Sequence, residues 1–232
     1  MDTPKIALAP NFALLGVPSN SIIKPSIATC SDASKPKIAG PMIEAWATEV
    51  FSGIRDNLNN KYNLINVEAQ ERLGMSDIIL QFKKINNKIV TANVDVKATS
   101  NDIENSGKSP NITSFSRIRT AYINDPNYMF IILSIKHSVY SQRNSTTNLI
   151  DGIMEIVDYN AYDLKYISEE DISYNPALGT GQIQIKDIHY VSYTKRTTWE
   201  MCQMLDKKYL NSSKRTFKDF YKEAVKNKWI KI

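Results

Sequence analysis

Apolar positions recur with helical spacing over residues 40–60, GPMIEAWATEVFSGIRDNLNN. Ile43, Ala47, Val50 and Ile54 form one stripe there, with Trp46 and Leu58 beside it. Pro41 suits an early helical position. YNLINVEAQER then reads as a short strand or loop, and SDIILQFKKINNKIVTANVDVKATS as a β-hairpin. Two β-prone runs flank Asn86 and Asn87, and Asn tolerates the positive φ of tight turns. A helix is predicted over Thr113–Asn124, with a polar cap before it and a proline after it. YMFIILSIKHSVYS has the unbroken apolar character of a central strand. IDGIMEIVDYNAYDLKYI reads as a strand pair and GTGQIQIKDIHYVSY as a strand. TTWEMCQMLDKKYL and FKDFYKEAVKNKW read as helices. Residues 1–40, rich in Pro, Ser, Ala and Lys, read either as an irregular arm with short turns or as a disordered tail. Mixed helices and strands in this order predict an α/β or α+β fold. The expected organisation is an N-terminal arm, 1–40, and a single domain, 41–232.

Composition narrows the chemistry. The chain has 232 residues, enough for a sizeable core, and no window approaches a membrane span. Its N-terminus lacks the basic lead and long apolar core of a signal peptide. Cys30 and Cys202 make neither a disulfide framework nor a metal-ligand set, and are expected to be buried or incidental thiols in a reducing cytoplasm. Two histidines are too few for a histidine metal site, so a bound metal would need oxygen ligands, which favours magnesium over zinc. The net charge of +5 is a weak pointer to nucleic acid.

Within the hairpin, VTANVDVKATSND places Asp95 and Lys97 two positions apart, on one face of a strand. Asp77 lies upstream, and the residues between are the hairpin that would return it to that face. A two-residue turn at Asn86 and Asn87 would set Asp77 opposite Val96, on the wrong face. A three-residue turn or one bulge would set it opposite Lys97, so an odd-length turn or a bulge is predicted. Two packed carboxylates repel, and a divalent cation between them relieves the repulsion. With an ammonium beside them, they could form half of a phosphodiesterase centre. A surface strand carrying an ordinary salt bridge fits the same spacing.

Asp77 followed by Asp95-Val96-Lys97 resembles the PD-(D/E)xK nuclease signature, with Ser76 in place of its proline. A preceding helix bearing Glu44, and the segments SPNITSFSRIRTAYINDPNYMFIILSIKH, ALGTGQIQIKDI and RTTWEMC, are similar to parts of type II restriction endonucleases. The resemblance covers roughly residues 38–205, although only the two aspartates and the lysine are specific. It implies a central mixed β-sheet flanked by helices, and Mg²⁺-dependent cleavage of double-stranded DNA by a homodimer on a palindromic site. Asp77 and Asp95 would ligate Mg²⁺ with help from the Val96 carbonyl, and Lys97 would position or help deprotonate the attacking water. Glu44 would hold a metal-bound water or be ordinary helix surface. Glu49 competes for that role but faces elsewhere, and Glu68 and Glu71 are further acids before the hairpin. Asp rather than Glu before x-Lys is similar to blunt-cutting members of the family.

DNA contacts are expected from Lys108, Asn111, Thr113, Ser114, Arg117 and Arg119 around the helix after the motif. The polar stretch 135–148 adds Lys136, His137, Gln142, Arg143 and Asn144, as a recognition loop or as plain surface. SSKRTFKDFYKEAVKNKWIKI could touch backbone, or pack its aromatics and expose its lysines. Size and composition suggest an AT-rich octanucleotide target. A structure-specific repair or resolving nuclease and a non-catalytic DNA-binding protein are the alternative readings.

Overall fold

The computed structural model describes residues 22–23, 35–71, 74–177 and 179–230. The class is mixed α/β, and the chain divides into two compact units.

The first unit comprises residues 1–107 and 131–162. Its helix α1 runs Lys35–Asp56, starting five residues earlier than predicted, which places Pro41 inside the helix. Gly40 makes that tolerable, because a proline ring clashes with the Cβ of the residue before it and glycine has none. The buried stripe is Ala39, Ile43, Ala47 and Phe51. Val50 and Ile54 flank it half-buried, and Leu58 lies beyond the helix end, fully exposed.

Helix α1 packs on β2 (Leu64–Ala69) and β4 (Ile89–Ser100). Strands β1 (Ile22–Ile23), β3 (Ile78–Lys83), β6 (Met129–Arg143) and β7 (Ile150–Asp163) complete a six-stranded sheet. Its order is β1-β7-β6-β4-β3-β2, so β4 is an interior strand. The predicted strand pair over 150–167 is instead one long strand followed by a 3-10 turn, Leu164–Tyr166. Much of the predicted recognition loop is strand as well. Strand β6 continues to Arg143, and a short turn, where Asn144 Oδ1 accepts from the N–H groups of Thr146 and Thr147, leads into β7.

The second unit comprises residues 108–130 and 163–232. Strands β5 (Asn111–Ser114), β8 (Ile172–Asn175) and β9 (Gln182–Ile185) form an antiparallel sheet of order β5-β9-β8. Helices α2 (Phe115–Asn124), α3 (Thr198–Leu210) and α4 (Phe217–Lys226) accompany it. The predicted helix from Thr113 starts two residues later, because Thr113 and Ser114 belong to β5 and Ser114 caps α2. Threonines cap α3 and α4, each with an acid three residues on that returns the bond. Phe115 and Tyr209 stack at 4.7 Å in the core, and Trp229 meets Phe115 edge-on at 5.6 Å. The C-terminal aromatics divide, since Phe220 and Trp229 pack together while Phe217 and Tyr221 stay exposed. Cys202 is a buried thiol, and Cys30 lies outside the described residues, as does most of the predicted arm.

Candidate active site

The hairpin β3–β4 carries the candidate centre. Ile78 pairs with Val94 and Lys83 with Ile89, and the Lys84 N–H closes on the Lys88 carbonyl at 2.9 Å. The turn is therefore the three residues Ile85, Asn86 and Asn87, and Asn87 adopts a φ of 61°. The odd-length turn agrees with the sequence reading. The partner differs by one pleat: continued past Ile78, this register sets Asp77 opposite Asp95 rather than Lys97. Either partner keeps Asp77 on the face of Asp95 and Lys97, since opposed residues project to one side of a sheet.

Asp77 stands where the ladder ends. Its N–H donates to the Val94 carbonyl at 2.9 Å, and its Oδ2 accepts from the Val96 N–H at 2.6 Å. A carboxylate thus takes the donor that a further strand residue would have used, and this ties Asp77 to the strand of the other two residues.

Asp95 is 6 % exposed. Lys97 Nζ donates to its Oδ1 at 2.9 Å and lies 2.7 Å from Oδ2, at an angle that gives Oδ2 no hydrogen bond. Burial pushes the Asp95 carboxyl up to about 7. Lys97 pulls against that rise, while Asp77 and Glu44 add to it. Glu44, half-buried on α1, is also raised, by burial first and then by Asp77, with Lys97 opposing. The structure therefore brings Glu44 into the field of Asp77 and Lys97 and leaves Glu49 exposed. Glu68, exposed on β2, bonds to Gln70.

Three acids against one lysine leave a negative cluster with a buried, unsatisfied oxygen. That arrangement fits a divalent cation. Among the described residues no three His, Cys, Asp or Glu side chains are grouped to hold a metal by themselves. An ion would rest on Asp77, Asp95 and a carbonyl such as that of Val96, with water and phosphate supplying the remainder, as magnesium commonly does.

The candidate DNA contacts separate into distinct environments. Arg119 is 7 % exposed, with bidentate bonds to Asp206 at 2.5 and 2.7 Å, and stacks over Trp229 at 4.4 Å. It forms a buried ion pair that turns its guanidinium toward Asp206 rather than toward the surface. His137 is 2 % exposed on β6, and burial lowers its pKa against the opposing pull of Asp102 and the Thr99 backbone. As placed it offers no edge to a duplex. Thr113 is buried, and the Ser114 hydroxyl is engaged as the α2 cap. Lys108 is exposed but paired with Asp187. Asn111, Arg117, Gln142 and Arg143 are at the surface, while Lys136 and Asn144 are half-buried. Asp206 and Gln184, which pair with Arg119 and Asn111, escaped the sequence reading. Pairing between distant segments leaves no local pattern that would have found them.

The family model of the type II restriction endonuclease HpaI matches residues 33–228. The type II restriction enzyme HpaI of Haemophilus parainfluenzae is 78 % identical over 195 residues, which are 84 % of this chain and 76 % of that protein. Among solved structures, NlaIV restriction endonuclease aligns with 98 % of this chain and 92 % of its own, at 13 % identity and a TM-score of 0.42, a likeness that carries no weight beside the family match. Since the matched stretch includes α1, the hairpin and all four candidate catalytic residues, the chain belongs to the HpaI family of type II restriction endonucleases, which are site-specific deoxyribonucleases.

Proposed function

We propose that this chain cleaves double-stranded DNA at a specific palindromic sequence with Mg²⁺, as a homodimer in the bacterial cytoplasm, leaving blunt ends. The observation that carries the reading is the convergence of Asp77, Asp95 and Lys97, in which Asp77 is bonded to the backbone between the other two. Asp77, Asp95 and the Val96 carbonyl would hold the ion. Magnesium there supplies positive charge against the negative charge that develops on the scissile phosphate. Lys97 has three N–H donors, and Asp95 fixes its direction. Its remaining donors orient the attacking water or a phosphate oxygen while the phosphorus–oxygen bond to the leaving group breaks. Glu44, at the edge of this field, would hold a metal-bound water. The dimer and the blunt cut rest on resemblance to PD-(D/E)xK nucleases with Asp before x-Lys. On this reading residues 41–232 act as a single nuclease domain with integrated recognition elements, and Asn111, Arg117, Gln142 and Arg143 are the sequence candidates exposed at the surface.

The test is incubation of the purified protein with long bacteriophage DNA in Mg²⁺ or EDTA, followed by electrophoresis. Sharp bands that require Mg²⁺, with mapped flush ends, are expected, and light scattering should give twice the chain mass. A smear would refute sequence specificity, and cutting in EDTA would refute the metal.

A further inference from the structure

Asn111 and Gln184 sit opposite each other in the β5–β9 ladder, so their side chains share one face. The Gln184 amide nitrogen donates to the Ser109 carbonyl and to Asn111 Oδ1, each at 3.0 Å. A backbone carbonyl can only accept, so the nitrogen end of Gln184 must face Ser109, and this fixes the orientation of both amides. Both Gln184 amide hydrogens are then consumed, and so is the nearer lone pair of Asn111 Oδ1. Two groups remain without a partner among the described residues: the acceptor Gln184 Oε1 and the donor Asn111 Nδ2. The local backbone supports the arrangement. The Ser109 N–H bonds to the Lys186 carbonyl, and Lys108 pairs with Asp187 beside it. Asn111 is exposed, Gln184 is partly so, and the exposed Lys186 adds positive charge to the edge.

We propose that Asn111 and Gln184 together read one adenine of the target duplex in the major groove. This rests on the DNA-cleaving function proposed above. The bonds leave one donor and one acceptor on the same face of the strand pair, and such a pair selects its ligand by exclusion. Phosphate oxygens only accept, so Gln184 Oε1 would repel them. Guanine presents two acceptors, N7 and O6, and cytosine presents a donor at N4. Among single bases, adenine alone presents an acceptor, N7, beside a donor, the N6 amino group. Asn111 Nδ2 donates to N7, and Gln184 Oε1 accepts from N6. Because the protein's own bonds already hold both amides, little side-chain freedom is lost on binding.

The test uses synthetic duplexes of the cleavage site mapped on bacteriophage DNA. Each adenine is replaced in turn by 7-deazaadenine, which lacks N7, or by purine, which lacks the amino group, and kcat/KM is measured for wild type, Asn111→Ala and Gln184→Met. At one adenine, 7-deazaadenine should cost wild type about 5- to 150-fold, the discrimination of a bidentate contact, and cost Asn111→Ala nothing further. Purine at that position should act likewise with Gln184→Met. Thermal unfolding and binding to non-specific DNA should match wild type in both variants, which separates reading from misfolding. Additive losses at every adenine, or a mapped site without adenine, would overturn the assignment and leave the nuclease intact. A wild-type protein that cuts at no defined site would overturn the nuclease function, and the adenine reader with it.

Discussion

Asp95→Asn should stabilise the metal-free protein at high pH and abolish its cleavage of DNA. The Asp95 carboxyl is raised from 3.8 to about 7, chiefly by burial. Between those values the folded state holds a proton that the unfolded state has released, so stability falls as pH rises and levels off above 7. Each pK unit is worth about 1.4 kcal/mol, so ionising Asp95 costs the folded protein about 4 kcal/mol at pH 8 and less than 2 kcal/mol at pH 5. Asparagine keeps the shape and an acceptor for Lys97 but cannot ionise. The stability gained by the variant should therefore be about 2–3 kcal/mol larger at pH 8 than at pH 5, or about 5–10 °C in melting temperature for a chain of this size. The assay is thermal unfolding of both proteins in EDTA at the two pH values. Added Mg²⁺ should then raise the wild-type melting temperature at pH 8 and leave the variant unmoved. Parallel pH profiles for the two proteins would refute the claim that Asp95 is a carboxylate held against its own burial.

Lys97→Ala should abolish cleavage while leaving DNA affinity in EDTA within a few-fold of wild type, measured by fluorescence anisotropy; full activity would remove Lys97 from the site. Arg119→Ala leaves Asp206 without its partner and should cost about 3 kcal/mol, seen as a melting temperature lower by about 6–12 °C, with DNA affinity per folded molecule unchanged. Weaker DNA binding with unchanged melting would return Arg119 to the DNA interface. Gly181 has a φ of 87°, and a Cβ there would lie 2.2 Å from the Tyr174 hydroxyl, so Gly181→Ala should lose on the order of 2 kcal/mol or more in denaturant unfolding. A variant unfolding with the wild type would show that this turn does not need glycine.

The hairpin was the most legible element because two local signals agreed. Two β-prone runs marked the strands, and an asparagine supplied the positive φ of the turn. The one-pleat error has a simple source in Ile85, which reads as the last residue of a strand but lies in the turn, 102 % exposed. The expected break within β7 failed for another reason. Asp158, Tyr159 and Asn160 look like a turn, yet β7 runs beside β6, a strand of similar length, and ladder bonds to such a neighbour outweigh local turn preference. Polarity likewise suggested a loop over 135–148, where the polar residues largely occupy the outer end of β6 and the turn that follows it.

Arg119 and Asp95 show what separates a structural charge from a chemical one. Both are buried charged groups with an opposite charge in contact, and nothing local in the sequence ranks them apart. Arg119 meets Asp206 through two parallel bonds with an indole beneath its plane, so its charge is matched one for one even though its Nη1 is buried without a hydrogen bond. Asp95 meets one lysine, keeps an oxygen without a hydrogen bond, and lies in the field of two more acids. Its surroundings leave negative charge uncompensated in a site too buried for water to screen it. A protein gains nothing in stability from such an arrangement. The deficit has a use if a cation and a phosphate complete the site, because their binding then relieves a cost the fold already carries. The same logic predicts how the two substitutions diverge: removing the arginine carboxylate-pair partner weakens the fold and spares function, whereas neutralising the aspartate strengthens the fold and ends function.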